Sequence, residues 1–496
     1  MSKRKQNTYA VARQETMTTR PCPTTRKMFT VNNFALPAPL ISSHRYKILV
    51  RSRLGRLGVA ALCVPASQLL GTALLPAHAA DNSAASDNSL ILISSAMVLL
   101  MTPGLAFFYG GFVQGRNVLN TMGMSIVMMG IATLTWAGVG FSLAFGDGGS
   151  WNAVIGNPLD HALLENLSGT WDGLSIPGLS FALFQGMFAI ITPALISGAL
   201  VERLSFRFWC LFTPIWLLAV YAPLAHMVWG GGFLGKDLDF AGGTVVHISS
   251  GVSALVLAGL VGRRQGWPQS GRPPHDVTQI ILGTGLLWFG WFGFNGGSQL
   301  SVAGAELPFT TTHLSAAAGL VTWALVETWR DNKPTAVGMA TGAVAGLVGV
   351  TPAAGFVTPG AGMAIGAITA VLCYASVRIK VHLRFDDSLD TFAVHGVGGT
   401  IGALLTGVFA SSALIEGHPA GAVLAEQGRL ALVLGQLQAV LVAYGLAAGG
   451  TLLIALALRQ CGVAFRVPEE AEQMGVDVNE HGEEAYAERT GSPILN

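Results

Sequence analysis

From residue 88 onward the chain alternates long apolar stretches with short polar connections. The stretches run roughly 88–113, 119–145, 178–201, 206–226, 241–262, 277–297, 309–329, 336–352, 359–380, 393–411 and 430–458. A helix needs about 20 predominantly apolar residues to cross the hydrocarbon core of a bilayer. The pattern therefore predicts an all-α polytopic membrane protein with eleven transmembrane helices. An odd number puts the two ends of the bundle on opposite sides. The basic residues alternate accordingly: Arg116, Arg203, Arg207, Arg263, Arg264, Arg272, Arg330, Lys333, Arg378, Lys380, Arg384, Arg459 and Arg466 fall on one set of connections. The other set carries Lys236 and Arg429, together with Asp147, Asp160, Glu165 and Asp172. Lys and Arg accumulate on the cytoplasmic side, so the N-terminus is expected outside and the C-terminus in the cytosol.

A weak repeat runs through the stretches. FFYGG at 107–111 in the first is similar to FGFNGG at 292–297 in the sixth, and ITPALISGA at 191–199 in the third to VTPAAG at 350–355 in the eighth. The fifth and tenth each carry a histidine, His247 and His395, a few residues after an aspartate, Asp239 and Asp390. The offset is five helices each time. Five is odd, so the halves insert in opposite orientations, as two inverted five-helix repeats plus one extra helix. Inverted repeats of this kind place a substrate path near the midplane between the halves. The eleventh helix lies outside the repeat and is expected to act as an outer brace.

Composition agrees. The 496 residues are 51% hydrophobic and 11% charged, against about 25% charged in a soluble domain, and mean hydropathy is +0.54. The 63 glycines suit helices packed closely through small side chains. A net charge of +1 gives no ground for a nucleic-acid partner. The five cysteines have no paired or metal-ligand spacing, so neither disulfide framework, metal site nor cofactor is expected. Residues 1–46 are polar and basic. Lys47, Arg51, Arg53 and Arg56 then precede an apolar run that ends in Ala77-His78-Ala79, the pattern of a secretory signal peptide. An uncleaved first helix is the other reading, and Met28 is an alternative start. The expected division is 1–79 extension and signal peptide, 80–461 transmembrane domain, and 462–496 charged cytosolic tail.

Several side chains stand out, each open to two readings at this stage. An ionisable group inside a membrane span is costly and marks a functional site by default, yet His247 or His395 taken singly could be a core histidine bonded to a carbonyl. Trp229, in HMVWGGG, could anchor the helix at the interface or offer its face to a cation. Phe184 and Phe188 share one helix face, which could be packing or a lining. Ser298 could serve a helix end or accept a hydrogen bond from a ligand. Asp239 and Asp390 are expected to cap or order the segments that follow them, without ligating substrate.

The strings PGLAFFYGG, FQGMFAIITPALISGALVER, HMVWGGG, LDFAGGTVVHI, GWFGFNGGS, DDSLDTFAVHGVGG and RVPEEAEQMGVDVNEHGEEAY occur in order from residue 88 to about 488. In these the chain resembles the ammonium transporter (Amt/Mep/Rh) family, specifically its bacterial Amt-type channels. The resemblance implies a transporter rather than an enzyme, in the bacterial inner membrane. Trp229, Ser298, Phe184 and Phe188 would form an outer ammonium site, with methylammonium as an analogue. Phe188 and Phe294 would be a stacked gate, and His247 and His395 a paired pore lining. Tyr109 and Trp291 match pore-region aromatics, Thr351 matches the family, and Thr341 stands where close relatives often have Ser. Ammonium would bind outside, lose its proton near the gate and cross as ammonia. The resemblance also implies a homotrimer with one pore per protomer, and a PII-type regulatory protein at the tail. An ammonium sensor and an Rh-like gas channel are the alternatives.

Overall fold

The computed structural model describes residues 82–268 and 273–486. The predicted extension and signal peptide lie outside the described residues. The described residues are helical, apart from loops and two isolated β-bridges, Thr170 with Pro177 and Leu204 with Arg466. Among the described residues ten helices are long and apolar enough to span a membrane, and an eleventh apolar helix is shorter. In chain order they are α1 Ser83–Phe112, α2 Gly115–Phe145, α3 Gly178–Ala199, α4 Phe206–Trp229, α5 Gly243–Val261, α6 Val277–Gly297, α7 Glu306–Asp331, α8 Ala336–Val350, α9 Pro359–His382, α10 Phe392–Phe409 and α11 Pro419–Gln460. Two short helices follow, α12 Glu469–Met474 and α13 Val476–His481.

These match the predicted stretches with small displacements. Helix α1 begins several residues earlier than expected. Helix α8 stops at Val350, and the chain turns through Pro352. Helix α11 gains an N-terminal segment with Pro419 in its first turn, and Gly428 breaks it at φ 81°, a backbone value that glycine tolerates.

Helix α1 packs along α6, α7 against α8 and α9, and α5 against α10. The α5–α10 crossing is intimate because a Cβ on Gly251 would overlap the Gly396 backbone. The halves also share a local irregularity: α5 opens with a π-helical turn at Gly243–Ile248 and α10 with one at Phe392–Val397. Such turns are rare and concentrate at functional positions.

One face of the bundle gathers the basic connections. Arg264 pairs with Glu202 at 3.0 Å and with Asp386 at 2.8 Å. Arg203, fully buried, donates to the Gly262 and Asp386 carbonyls. The tail docks on this same face. Glu472 pairs with Arg466 and accepts from Gln265 N–H. Asp477 accepts the Leu119 and Asn120 N–H groups near the start of α2, and Glu480 accepts Phe206 N–H at the start of α4. Carboxylates suit helix N-termini because those N–H groups lack intrahelical partners. Burial opposes the charge on Asp386, but the Arg264 and Arg203 guanidiniums outweigh it and hold the carboxyl below its usual range. The connections bearing Trp229 and Asp239 lie at the opposite ends of their helices.

Candidate functional site

The two histidines meet. His395 Nδ1 and His247 Nδ1 are 3.2 Å apart, in rings 4% and 1% exposed. A neutral imidazole has one donor and one acceptor nitrogen, so one ring donates from Nδ1 and the other accepts there. Their opposite tautomers are thereby tied. His247 Nε2 is buried with no hydrogen-bond partner among the described residues.

Each histidine is positioned by a carboxylate at the start of its helix. Asp239 accepts four backbone N–H groups, from Gly242, Gly243, Thr244 and Val245, at 2.6–3.0 Å. Asp387 accepts two, from Thr391 and Phe392, at 2.9 and 2.8 Å. The sequence sets Asp390 opposite Asp239, whereas the structure puts Asp387 in that place; of the two roles expected for Asp390, capping or loop ordering, it fills the second. Asp390 sits at φ 60° and pairs with Lys380, so it orders its loop without capping α10. The missed residue is Asp387, and the spacing could have found it. Asp239 precedes His247 by eight residues, and Asp387 precedes His395 by the same number.

Three cavities lie in series. The first is lined by Phe181, Gln185, Phe188, Trp229, Phe240 and Ser298, among others. Trp229 is half-buried, with its indole N–H donating to the Asp239 carbonyl at 2.9 Å. Its polar end is therefore used inside the protein, which disfavours the simple interfacial anchor. Ser298 Oγ donates to the Phe294 carbonyl at 2.8 Å, leaving oxygen lone pairs to accept from a ligand.

Phe188 and Phe294 stand between the first cavity and the second, their centroids 4.3 Å apart. Phe184 does not line the first cavity. It is fully buried, edge-on to Phe188 at 5.0 Å and against Gly297. The rotation of α3 turns Phe181, Gln185 and Phe188 to the cavity, while Phe184 supports the Phe188 ring from behind.

The second cavity is narrow and almost wholly apolar, with His247 and His395 beside Tyr109, Trp291, Phe294 and Val344. Trp291 stacks over His247 at 5.4 Å and donates to Thr351 Oγ1 at 2.9 Å. Tyr109 donates to the Leu195 carbonyl at 3.1 Å. The third cavity shares His395, Tyr109 and Val344 with the second and adds Thr341, Leu389, Asp390 and Thr391. Thr341 Oγ1 bonds back to the Val337 carbonyl at 2.9 Å. Thus the predicted residues gather along one line from Trp229 to Thr341, with Phe184 just behind it.

Known proteins are similar to this chain in sequence and in fold. An ammonium transporter of Bacillus subtilis (strain 168) is 42% identical over 407 residues, spanning 81% of this chain and 98% of that protein. The crystal structure of Saccharomyces cerevisiae Mep2 superposes with a TM-score of 0.73 at 34% identity, covering 82% of this chain and 93% of that one. A solved structure described as "Sensor Amt Protein" gives 0.74 at 32% identity, covering 80% and 99%. The model of the Ammonium Transporter Family matches residues 89–486, and with the fold and these relatives it establishes that the chain belongs to that family.

Proposed function

We propose that the protein carries ammonium nitrogen across the membrane by binding the cation at Trp229 and Ser298, removing its proton near the Phe188–Phe294 pair and passing ammonia along His247 and His395. The observation that carries this reading is the order of the three cavities. An aromatic and hydroxyl-lined chamber comes first, then a pair of close-set, tilted rings, then a mostly apolar slot that holds the two imidazoles. A bare cation in such a slot is strongly disfavoured, whereas neutral ammonia needs only a hydrogen-bond partner. Linked imidazoles provide both a donor and an acceptor, and the pair titrates as a unit. The alternation of basic connections supports placing the Trp229 face outside and the tail in the cytosol. The tail face is then the surface for a PII-type partner, and each subunit of a trimer carries its own path.

The test is replacement of both histidines by leucine in reconstituted protein verified as folded. Selective ammonium-evoked current and methylammonium uptake should be lost. Unchanged uptake and selectivity would remove the histidines from the mechanism. Charge moved per ammonium, measured across pH, separates electrogenic transport from passive ammonia conduction. The likeness to a solved sensor protein favours a second reading, in which the same site reports ammonium through the tail. Absence of flux from the wild-type protein would select it.

A further inference from the structure

Helix α11 stands outside the five-helix repeat, yet it places a polar amide deep in the protein. Gln436 is 1% exposed, and a buried amide is costly unless its hydrogen-bonding groups are matched. Its Oε1 accepts from Leu238 N–H at 2.8 Å, and its Nε2 donates to the Leu238 carbonyl at 2.7 Å and the Ala403 carbonyl at 3.1 Å. Binding both the N–H and the C=O of one residue fixes the peptide planes on either side of it. The peptide after Leu238 leads into Asp239. The Asp239 carbonyl accepts the Trp229 indole N–H, and its carboxylate caps the helix of His247. Ala403 lies on α10, the helix of His395.

We propose that Gln436 is a positioning residue for substrate selection, holding the Trp229 ring at its attitude over the first cavity through Leu238 and Asp239. The eleventh helix is then part of the selective machinery as well as a brace. The proposal rests on the reading of Trp229 as the face that attracts the cation. The Leu238 side chain is separately anchored among Ala410, Ile415, Ala420 and Leu432. Loss of the amide therefore frees the orientation of the segment while its apolar anchor keeps it in place.

The experiment compares methylammonium uptake by reconstituted full-length wild type, Trp229→Leu, Gln436→Leu and the double variant. Gln436→Met, which keeps the length of the side chain but makes no amide hydrogen bond, serves in place of Gln436→Leu if the leucine variant does not fold. The Gln436 variant should raise KM by about fivefold with maximal rate within about twofold, the signature of lost binding and not of lost chemistry. Because Gln436 acts through Trp229, the double variant should show no more KM change than Trp229→Leu. A Trp229→Leu effect on KM with none from Gln436 would overturn the proposal, as would effects that add, or a fall in maximal rate at constant KM. A Trp229→Leu variant with unchanged KM would instead overturn the reading of Trp229, and the role of Gln436 with it.

Discussion

Substituting Asp239 by asparagine distinguishes a cap from a ligand. The carboxylate accepts four N–H groups in the first turn of α5, two on each oxygen. An asparagine keeps one acceptor oxygen and turns an NH2 group toward the other pair. Two buried N–H groups are then left facing a donor, at about 1–3 kcal/mol each, or about 2–6 kcal/mol in all. Asp387 caps α10 with one N–H on each oxygen, so Asp387→Asn orphans one and costs about 1–3 kcal/mol. Thermal unfolding of the purified variants in detergent should rank wild type above Asp387→Asn, and Asp387→Asn above Asp239→Asn. Flux should fall along the same order as the histidine helices lose their starting geometry. An Asp239→Asn protein as stable as wild type but without flux would refute the capping argument and assign the carboxylate a direct part in handling the cation. So would a reversed order of stability.

Three further outcomes follow from the same geometry. Gly251→Val should lower the melting temperature and abolish flux, because the added carbons overlap the Gly396 backbone and overpacking costs about 1–3 kcal/mol or more; Gly259→Ala on the same helix meets its nearest neighbour, Phe385, at an ordinary 3.9 Å and should leave both properties unchanged. Phe188→Ala opens the partition between the first two cavities, so ethylammonium-evoked current should rise relative to ammonium; a constant ratio would argue against a sizing role for the rings. The folded-state carboxyl of Asp386 is held below its usual range, so its contribution is present above the unfolded value near about 4 and is lost as pH falls through the folded value. Asp386→Asn should therefore lower stability at pH 7 and flatten the acid limb of the stability–pH curve, as read by unfolding between pH 3 and pH 7, on the order of the carboxylate range.

The repeat was legible because side-chain type records environment. Histidine in a Gly-rich apolar stretch is anomalous wherever it occurs, and two of them five helices apart required the halves to face each other. The eight-residue interval from Asp387 to His395 was equally present in the sequence. It was obscured by Asp390, a second acid nearer the histidine, because periodicity cannot say which carboxylate folds back on a helix start. Phe184 failed for a related reason. Residues 184 and 188 share a face by spacing, but only the rotation of α3 against α1 and α6 decides which of them meets the cavity and which packs behind.

The sequence by itself determined the membrane class, the eleven apolar helices, the opposed halves and the residue types that meet around His247 and His395, because bilayer thickness and the cost of buried charge act on each stretch separately. Tertiary structure decided the Nδ1 to Nδ1 contact of the histidines, the docking of the tail on helix N-termini, and the reach of Gln436 from α11 to the loop of Trp229. These depend on hydrogen bonds between residues far apart in the chain, such as Leu119 and Asp477, 358 positions apart. Such bonds form only after packing has set the orientation of each helix, so no local pattern in the chain encodes them.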